Sequence, residues 1–159
     1  MQAADQEMRN TITGKYPDGT PISAEDTEWW ESMDGANTER MKQIITEHGW
    51  PGISLVGRDG AFAAWLLIQH ADHDREFQRQ CLAMLQSSAA AGEAEAKNLA
   101  YLTDRVRVGE KRPQVYGTQM HSVDGEYVPE DIEDADHVDE RRASVGLGPL
   151  ADYVAEIRK

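Results

Sequence analysis

The feature that most constrains the fold is a long stretch, from Ala61 to about Ala91, that contains neither glycine nor proline. Because those two residues are the usual helix breakers, the stretch predicts either one long helix or two helices joined by a kink. At 3.6 residues per turn, six of its side chains fall within an arc of roughly 80°. They are Leu66, His70, His73, Phe77, Cys81 and Met84. We therefore expect His70 and His73 on the side of the helix that faces the core.

The rest of the pattern predicts a mainly α (α+β) fold: a compact helical domain with one β-hairpin. Helices are expected at about 3–13, from the N-cap Ser23, at 37–47 and at 93–110, with a glycine-containing loop at 50–60. Strands are expected at 114–121 and 126–129, because Asp124-Gly125 suits a tight turn. Two shorter helices, around 138–145 and 150–157, complete one predicted domain of residues 1–159 with a hairpin at about 114–129.

Composition limits the partners and the compartment. The net charge of −13 repels phosphate backbones, so we expect no nucleic acid partner and a preference for amine-bearing molecules or basic surfaces. No apolar run approaches the ~20 residues of a membrane span, and no leader opens the chain, so no membrane partner is expected. The single Cys81 fits a reducing compartment, which predicts a cytoplasmic protein. A homodimer is left open.

Histidine is the best candidate for chemistry. A histidine on a core-facing stripe can have its pKa moved across neutrality by carboxylates, which suits His70 to general acid–base catalysis. The alternative is a buried histidine bonded to a carbonyl or a glutamine. His70, His73 and Asp74 can point to one side of a helix and raise the possibility of a metal, with His121, His137 or Asp104 as a further ligand. Since no complete ligand set is present, we predict no metal and no cofactor.

A second polar set follows Pro113. In a strand, Gln114, Tyr116 and Thr118 would share one face, and Gly117 would permit a bulge that re-aims Gln119. Two carboxamides and a phenol suit the orientation of a polar ligand, but they equally suit an internal hydrogen-bond network.

Asp104 lies on a helix face that we expect to be covered. An isolated carboxylate there is costly, so it should meet a cation or a donor. Arg141, Arg142 and Arg9 are the candidate partners, and the neighbouring Arg105 offers a pairing in solvent.

Several short motifs occur in a specific order. They include D-Q-x-x-R from Asp5, W-P-G at 50–52, Q-H-A-D at 69–72, Y-L-x-D-R at 101–105 and Q-x-Y-G-T-Q at 114–119. Together they resemble an uncharacterised bacterial family of domains of unknown function, over about residues 5–153. The resemblance implies no activity. It implies that the polar motifs converge on one pocket, formed by His70, Gln69, Asp104, Arg105, Gln114, Tyr116 and Gln119.

We therefore predict a pocket between the His70 helix, the Asp104 helix and the hairpin, with His70 and Tyr116 within roughly 10 Å. The first hypothesis is an enzyme that transfers protons on a small polar substrate, a hydrolase, lyase or cyclase. The predicted catalytic residues are His70, Tyr116 and Asp104, and the predicted substrate-binding residues are Arg9, Gln69, Arg105, Gln114 and Gln119. The alternative is a non-catalytic binding or immunity-type module with an acidic interaction surface.

Overall fold

The computed structural model describes residues 1–16, 20–123 and 125–158. The chain divides into two compact units, Met1–Cys81 and Leu82–Lys159. Within the described residues the fold is mainly α, with seven α-helices and one two-stranded antiparallel hairpin, as the sequence predicts. None of these helices is both long and apolar enough to cross a bilayer.

The first unit is built from helices α1 (Gln2–Lys15), α2 (Ala24–His48), α3 (Ile53–Gln69) and the beginning of α4 (Arg75–Ala90). Helices α1, α2 and α3 pack against one another. Their apolar side chains form its core, which includes Met8, Ile12, Met41, Ile45 and Ile68. The predicted start of α2 is confirmed, because the Ser23 hydroxyl accepts a hydrogen bond from the Asp26 backbone N–H.

The stretch without glycine or proline forms two helices, which confirms the second of the two predicted alternatives. Helix α3 ends at Gln69 and α4 begins at Arg75, so a single helical stripe through His70 and His73 is wrong. The physical reason is the buried Gln78, whose side-chain amide donates to the carbonyls of Ile68 and Gln69 at 3.1 and 3.2 Å. These carbonyls at the end of α3 thereby gain a donor outside their own helix.

Two other boundaries differ from the sequence prediction. The expected loop at 50–60 is mostly helical, since α3 begins at Ile53, and only Gly57 leaves helical geometry, with φ 74° and ψ 171°. Helix α2 continues through Gly35 without a break. At Gly35 the surrounding helical hydrogen bonds outweigh the weak helix propensity of glycine, whereas Gly57 forms a kink within α3.

The second unit contains the rest of α4, then α5 (Ala96–Gly109), strands β1 (Met120–Val123) and β2 (Glu126–Pro129), a short 3-10 helix (Ala135–His137), α6 (Val138–Ser144) and α7 (Leu150–Ile157). Helix α7 packs on β2 and on α6.

The hairpin is confirmed, but its first strand is shorter than predicted. In its register Met120 pairs with Pro129 and Val123 pairs with Glu126. Gly125 in the turn has φ 84°, while Asp124 lies outside the described residues. Residues 114–119 are not a regular strand, and Gln114 makes only an isolated parallel bridge with Ile132. The strand prediction for 114–119 is therefore wrong, and the reason lies in the buried Asp104, described below.

Candidate active site in the first unit

The first unit joins a histidine to a buried carboxylate. His70 caps the C-terminus of α3, and its Nδ1 lies 2.9 Å from Oδ2 of Asp5 on α1. Asp5 has no exposed surface, whereas the His70 side chain is 15% exposed. Gln6 also donates to Asp5, at 3.1 Å. The end of α3 thus holds an imidazole whose Nδ1 faces a carboxylate.

The protonation state of Asp5 fixes the roles of the two ring nitrogens. Burial alone would raise the pKa of the Asp5 carboxyl, but hydrogen bonds from His70 and Arg9 hold that pKa well below its ordinary value. An ionised carboxylate only accepts hydrogen bonds, so Nδ1 of His70 carries a proton. In the neutral imidazole, Nε2 therefore keeps its lone pair and can act as a base.

A second carboxylate shares the same guanidinium group. Arg9 donates through Nε and Nη2 to Asp5, at 3.2–3.3 Å, and through Nη2 to Asp34. The Trp30 indole N–H donates to the other Asp34 oxygen at 2.9 Å, and the Arg9 guanidinium lies 4.6 Å from the centre of the Trp30 ring. Burial raises the pKa of Asp34 and Arg9 opposes this only in part. The pKa values of the two carboxylates are thus displaced in opposite directions, as in many acid–base sites.

His70 and Asp34 face an open cavity of about 660 Å³. Its other lining residues are Ile22, Thr27, Trp30, Glu31, Asp72 and His73. The volume lies within the range of small-molecule sites. One wall is aromatic and aliphatic, while the other lining residues include carboxylates and imidazoles.

Asp5, Asp34 and His70 also have the spacing of a cation site, since one ligand atom from each lies within 4.8 Å of the others. The guanidinium of Arg9 already donates to both carboxylates, so a positive charge is present there. A divalent cation would have to displace this guanidinium or lie beside it. The arrangement therefore fits an internal ion-pair network better than a metal centre.

Of the predicted site residues, Arg9, Gln69 and His70 belong to this unit. Arg9 contacts the carboxylates of Asp5 and Asp34 and the ring of Trp30. Gln69 is 5% exposed, and its Oε1 accepts no hydrogen bond within the described residues. A buried carbonyl oxygen of this kind has spare capacity for a donor from a ligand or from water.

Polar loop of the second unit

The other five predicted residues, Asp104, Arg105, Gln114, Tyr116 and Gln119, lie in the second unit. Asp104 is completely buried on α5. It accepts backbone N–H bonds from Val115, Tyr116 and Thr118, at 2.7–3.2 Å, and a bond from the Thr118 hydroxyl at 2.9 Å. Residues 115–118 thus wrap around one carboxylate, which explains why they do not extend into a strand.

The carboxamides of the loop are also used internally. Gln114 is buried, and its Nε2 donates to the carbonyls of Gln119 and Glu130 at 3.0 and 2.9 Å. Its Oε1 accepts the Gln119 backbone N–H at 2.9 Å. Arg105 donates to Oε1 of Gln119 at 3.3 Å. Of the two interpretations of this motif, these contacts are those of the internal network.

Arginines and a glycine complete the loop. Arg141 donates to the Val115 carbonyl at 2.8 Å, and the buried Arg142 donates to the Tyr116 carbonyl at 2.7 Å. Gly117 has φ 68°, and a Cβ there would lie 2.8 Å from a methyl carbon of Leu150. Only glycine satisfies both conditions without strain. Arg141 and Arg142, two of the predicted partners of Asp104, therefore hold the loop by hydrogen bonds to its backbone carbonyls.

Family membership

Three residues at the centre of the first site were not among the predicted site residues: Asp5, Trp30 and Asp34. Asp5 and Arg9 are four residues apart, as are Trp30 and Asp34, so each pair lies on one face of its helix. That spacing could have indicated from the sequence that each pair is in contact, but many solvent-exposed pairs have the same spacing.

The comparison with protein families covers almost the whole chain, because the model of a family of unknown function, DUF6624, matches residues 1–158. The chain belongs to this family. No curated protein and no solved structure shows a significant match to it. Membership in DUF6624 names no activity.

Proposed function

We propose that this DUF6624 chain is an enzyme that transfers protons on a small polar molecule, with His70 as the general base or acid. The observation that carries the proposal is the buried Asp5 carboxylate on Nδ1 of His70, at the wall of a cavity of about 660 Å³. A carboxylate in this position orients an imidazole and stabilises its protonated form. The same carboxylate–histidine pairing occurs in the catalytic triads of hydrolases.

Asp34 is the proposed second proton carrier. It lines the cavity with His70, and its raised pKa brings its protonated form closer to neutral pH. Nε2 of His70 would take a proton from the substrate or from water, and the Asp34 carboxyl would return one to a leaving or rearranging group. This division of roles suits hydrolase, lyase and cyclase reactions without a covalent intermediate.

The remaining predicted residues have different roles in this proposal. Arg9 acts as a positioning residue that holds Asp5 and Asp34, and Gln69 stays a predicted substrate-binding residue. Participation in the same site stays a prediction for Tyr116, Arg105, Gln114 and Gln119. The expected distance of roughly 10 Å between His70 and Tyr116 also stays a prediction. Asp104 is left outside the proposed acid–base set, because its oxygens already accept several bonds from the loop. The cytoplasmic location and the bacterial origin are also retained as proposals.

The replacement His70→Gln tests the proposal. Glutamine retains a donor for Asp5 but cannot titrate near neutrality, so we expect a melting temperature near that of the wild type and a loss of turnover of about 10²–10⁴-fold. Turnover would be measured on a substrate identified from hydrolase, lyase and cyclase panels. The matched control is His48→Gln, an exposed histidine in the last turn of α2. Full turnover in the His70 variant would refute the proposal.

A non-catalytic binding module is the second candidate, and one observation favours it. Leu55 is 62% exposed and Val56 and Phe62 are each 42% exposed, all three on α3. Patches of exposed apolar side chains are typical of contact surfaces, and these three lie within residues 55–62 of the chain. If this surface forms the homodimer that the sequence leaves open, sedimentation should show a dimer that Leu55→Asp converts to a monomer. That result, together with unchanged function in the His70 variant, would favour this candidate.

A further inference from the structure

We propose that the cavity of the first unit binds a small organic cation, such as a primary amine, and that Glu31 selects its charge. This inference rests on the proposed function, since it names the substrate class of the same cavity. It follows from the charges that surround the cavity, from its aromatic wall and from the placement of Glu31.

The cavity and its immediate partners contain more negative than positive side chains. Its lining includes three carboxylates, from Glu31, Asp34 and Asp72, and contains neither lysine nor arginine among the described residues. Behind this lining, Asp5 adds a fourth carboxylate. The guanidinium of Arg9 donates hydrogen bonds to Asp5 and Asp34, and that of Arg75 donates one to Asp72. Four carboxylates against two guanidinium groups leave an excess of negative charge.

Glu31 is the lining carboxylate with no described cation beside it. In residues 1–16, 20–123 and 125–158, no group donates a hydrogen bond to the side-chain carboxylate of Glu31 or forms an ion pair with it. Asp34, in contrast, accepts bonds from Arg9 and Trp30. It is 8% exposed, and a carboxylate has about four acceptor positions, so it retains some for a ligand. An ammonium group in the cavity would therefore find one unpaired carboxylate and one partly used carboxylate.

The apolar part of the lining favours an organic cation over a bare metal ion. Trp30 and Ile22 offer aromatic and aliphatic surface next to the carboxylates. Such surfaces stabilise the carbon skeleton of an amine, and an indole ring also attracts positive charge. The guanidinium of Arg9 demonstrates this attraction on Trp30 itself.

The test uses three probes of matched size and different charge: benzylamine, benzyl alcohol and benzoate. Binding to the full chain would be followed by NMR at neutral pH through the indole N–H of Trp30, which donates to Asp34. We expect benzylamine to bind about tenfold or more tightly than benzyl alcohol, and benzoate to bind least well. Equal or tighter binding of benzoate, or no saturable shift with any of the probes, would overturn the inference.

The residue assignment is tested with a pair of variants on one helix. Glu31→Gln should weaken benzylamine binding by about two- to fivefold, the effect of one exposed ion pair. Glu28→Gln removes the same charge from an exposed position of α2 that does not line the cavity, and it should leave the affinity unchanged. A Glu31→Lys variant should reduce benzylamine binding further and improve benzoate binding. Equal losses of affinity in the Glu31→Gln and Glu28→Gln variants would refute a specific role of Glu31.

The two proposals fail in different ways. If His70→Gln abolishes turnover while benzoate binds as well as benzylamine, the cation inference fails and the proton-transfer proposal stands. If the same variant keeps full turnover while benzylamine binding depends on Glu31, the proton-transfer proposal fails and the cation site stands.

Discussion

At the residue scale, one carboxylate in each unit organises its surroundings, and the two do so differently. Asp5 binds an arginine and a histidine, and that histidine borders a cavity. Asp104 binds backbone N–H groups and a hydroxyl, in a fully buried position. The first arrangement leaves a ring nitrogen available for chemistry, whereas the second fixes the path of the chain.

The structural role of Asp104 predicts a large effect of Asp104→Asn on stability. The amide would turn an N–H donor toward backbone donors, and each donor left without an acceptor costs roughly 1–3 kcal/mol. We therefore expect the free energy of unfolding to fall by at least that amount in urea titrations. The control is Asp152→Asn, at an exposed position of α7, which should change stability by less than about 0.5 kcal/mol. Equal stability of the two variants would contradict the role assigned to Asp104.

The sequence pattern led to the prediction of His70 and Arg9 as site residues, but not to that of Asp34. The sequence shows that His70 lies at the end of an apolar run and that Asp5 and Arg9 are four residues apart, but it does not show that α3 ends before His70. It does not show that α2 brings Asp34 to the same guanidinium, because this contact joins residues 25 positions apart. The polar loop was similarly ambiguous: its composition fits ligand binding and internal bonding equally well, and only the position of Asp104 distinguishes the two.

At the element scale, the beginning of α2 is tied to the end of α1 through Asp26. Its Oδ2 accepts bonds from Lys15, from the Tyr16 hydroxyl at 2.6 Å and from the Ser23 hydroxyl at 3.0 Å. The bond from Lys15, followed by that from Tyr16, lowers the pKa of the Asp26 carboxyl to about 2. This carboxylate therefore links both ends of the connection between the helices.

The lowered pKa predicts how stability depends on pH. A depressed carboxyl pKa contributes stability above the unfolded value of about 4, and this contribution is lost as the pH falls toward about 2. We expect Asp26→Asn to be less stable than the wild type at pH 6, with the difference shrinking between pH 4 and pH 2. Urea unfolding at several pH values measures it, with Glu28→Gln as the control. A difference that does not change with pH would contradict the linkage.

Helix boundaries were predictable where local chemistry sets them and not where distant groups do. The Ser23 cap and the Gly125 turn act within a few residues, and both features were predicted. The break between α3 and α4 depends on Gln78, whose amide reaches back to Ile68 and Gln69. The loop at 114–119 depends on Asp104, which lies on the preceding helix. Periodicity contains no information about either contact.

At the scale of the whole molecule, a net charge of −13 accompanies local pairing of charge within the first site. The guanidinium of Arg9 compensates Asp5 and Asp34 from inside the fold. The fold is therefore expected to form without a divalent cation, although three potential ligand atoms lie within 4.8 Å of one another.

Metal removal tests this expectation. Because Arg9 supplies the positive charge, chelation with EDTA should leave the melting temperature and the circular dichroism spectrum unchanged. Elemental analysis of the purified protein should show no stoichiometric transition metal. Stoichiometric zinc or iron, with unfolding on chelation, would contradict this expectation, and Asp5, Asp34 and His70 would then be the first ligands to test by substitution.

In the proposed enzyme, the buried Asp5 carboxylate holds Nδ1–H of His70 and leaves Nε2 as the reactive nitrogen. Nitrogen-15 NMR of the His70 ring tests it without knowledge of the substrate, because the shifts of the two nitrogens report which one is protonated. At a pH where the ring is neutral, we expect the Nδ1–H tautomer in the wild type and a larger share of the Nε2–H tautomer in Asp5→Asn. A neutral His70 that is mainly Nε2–H in the wild type would rule out Asp5 as the acceptor of a proton held on Nδ1.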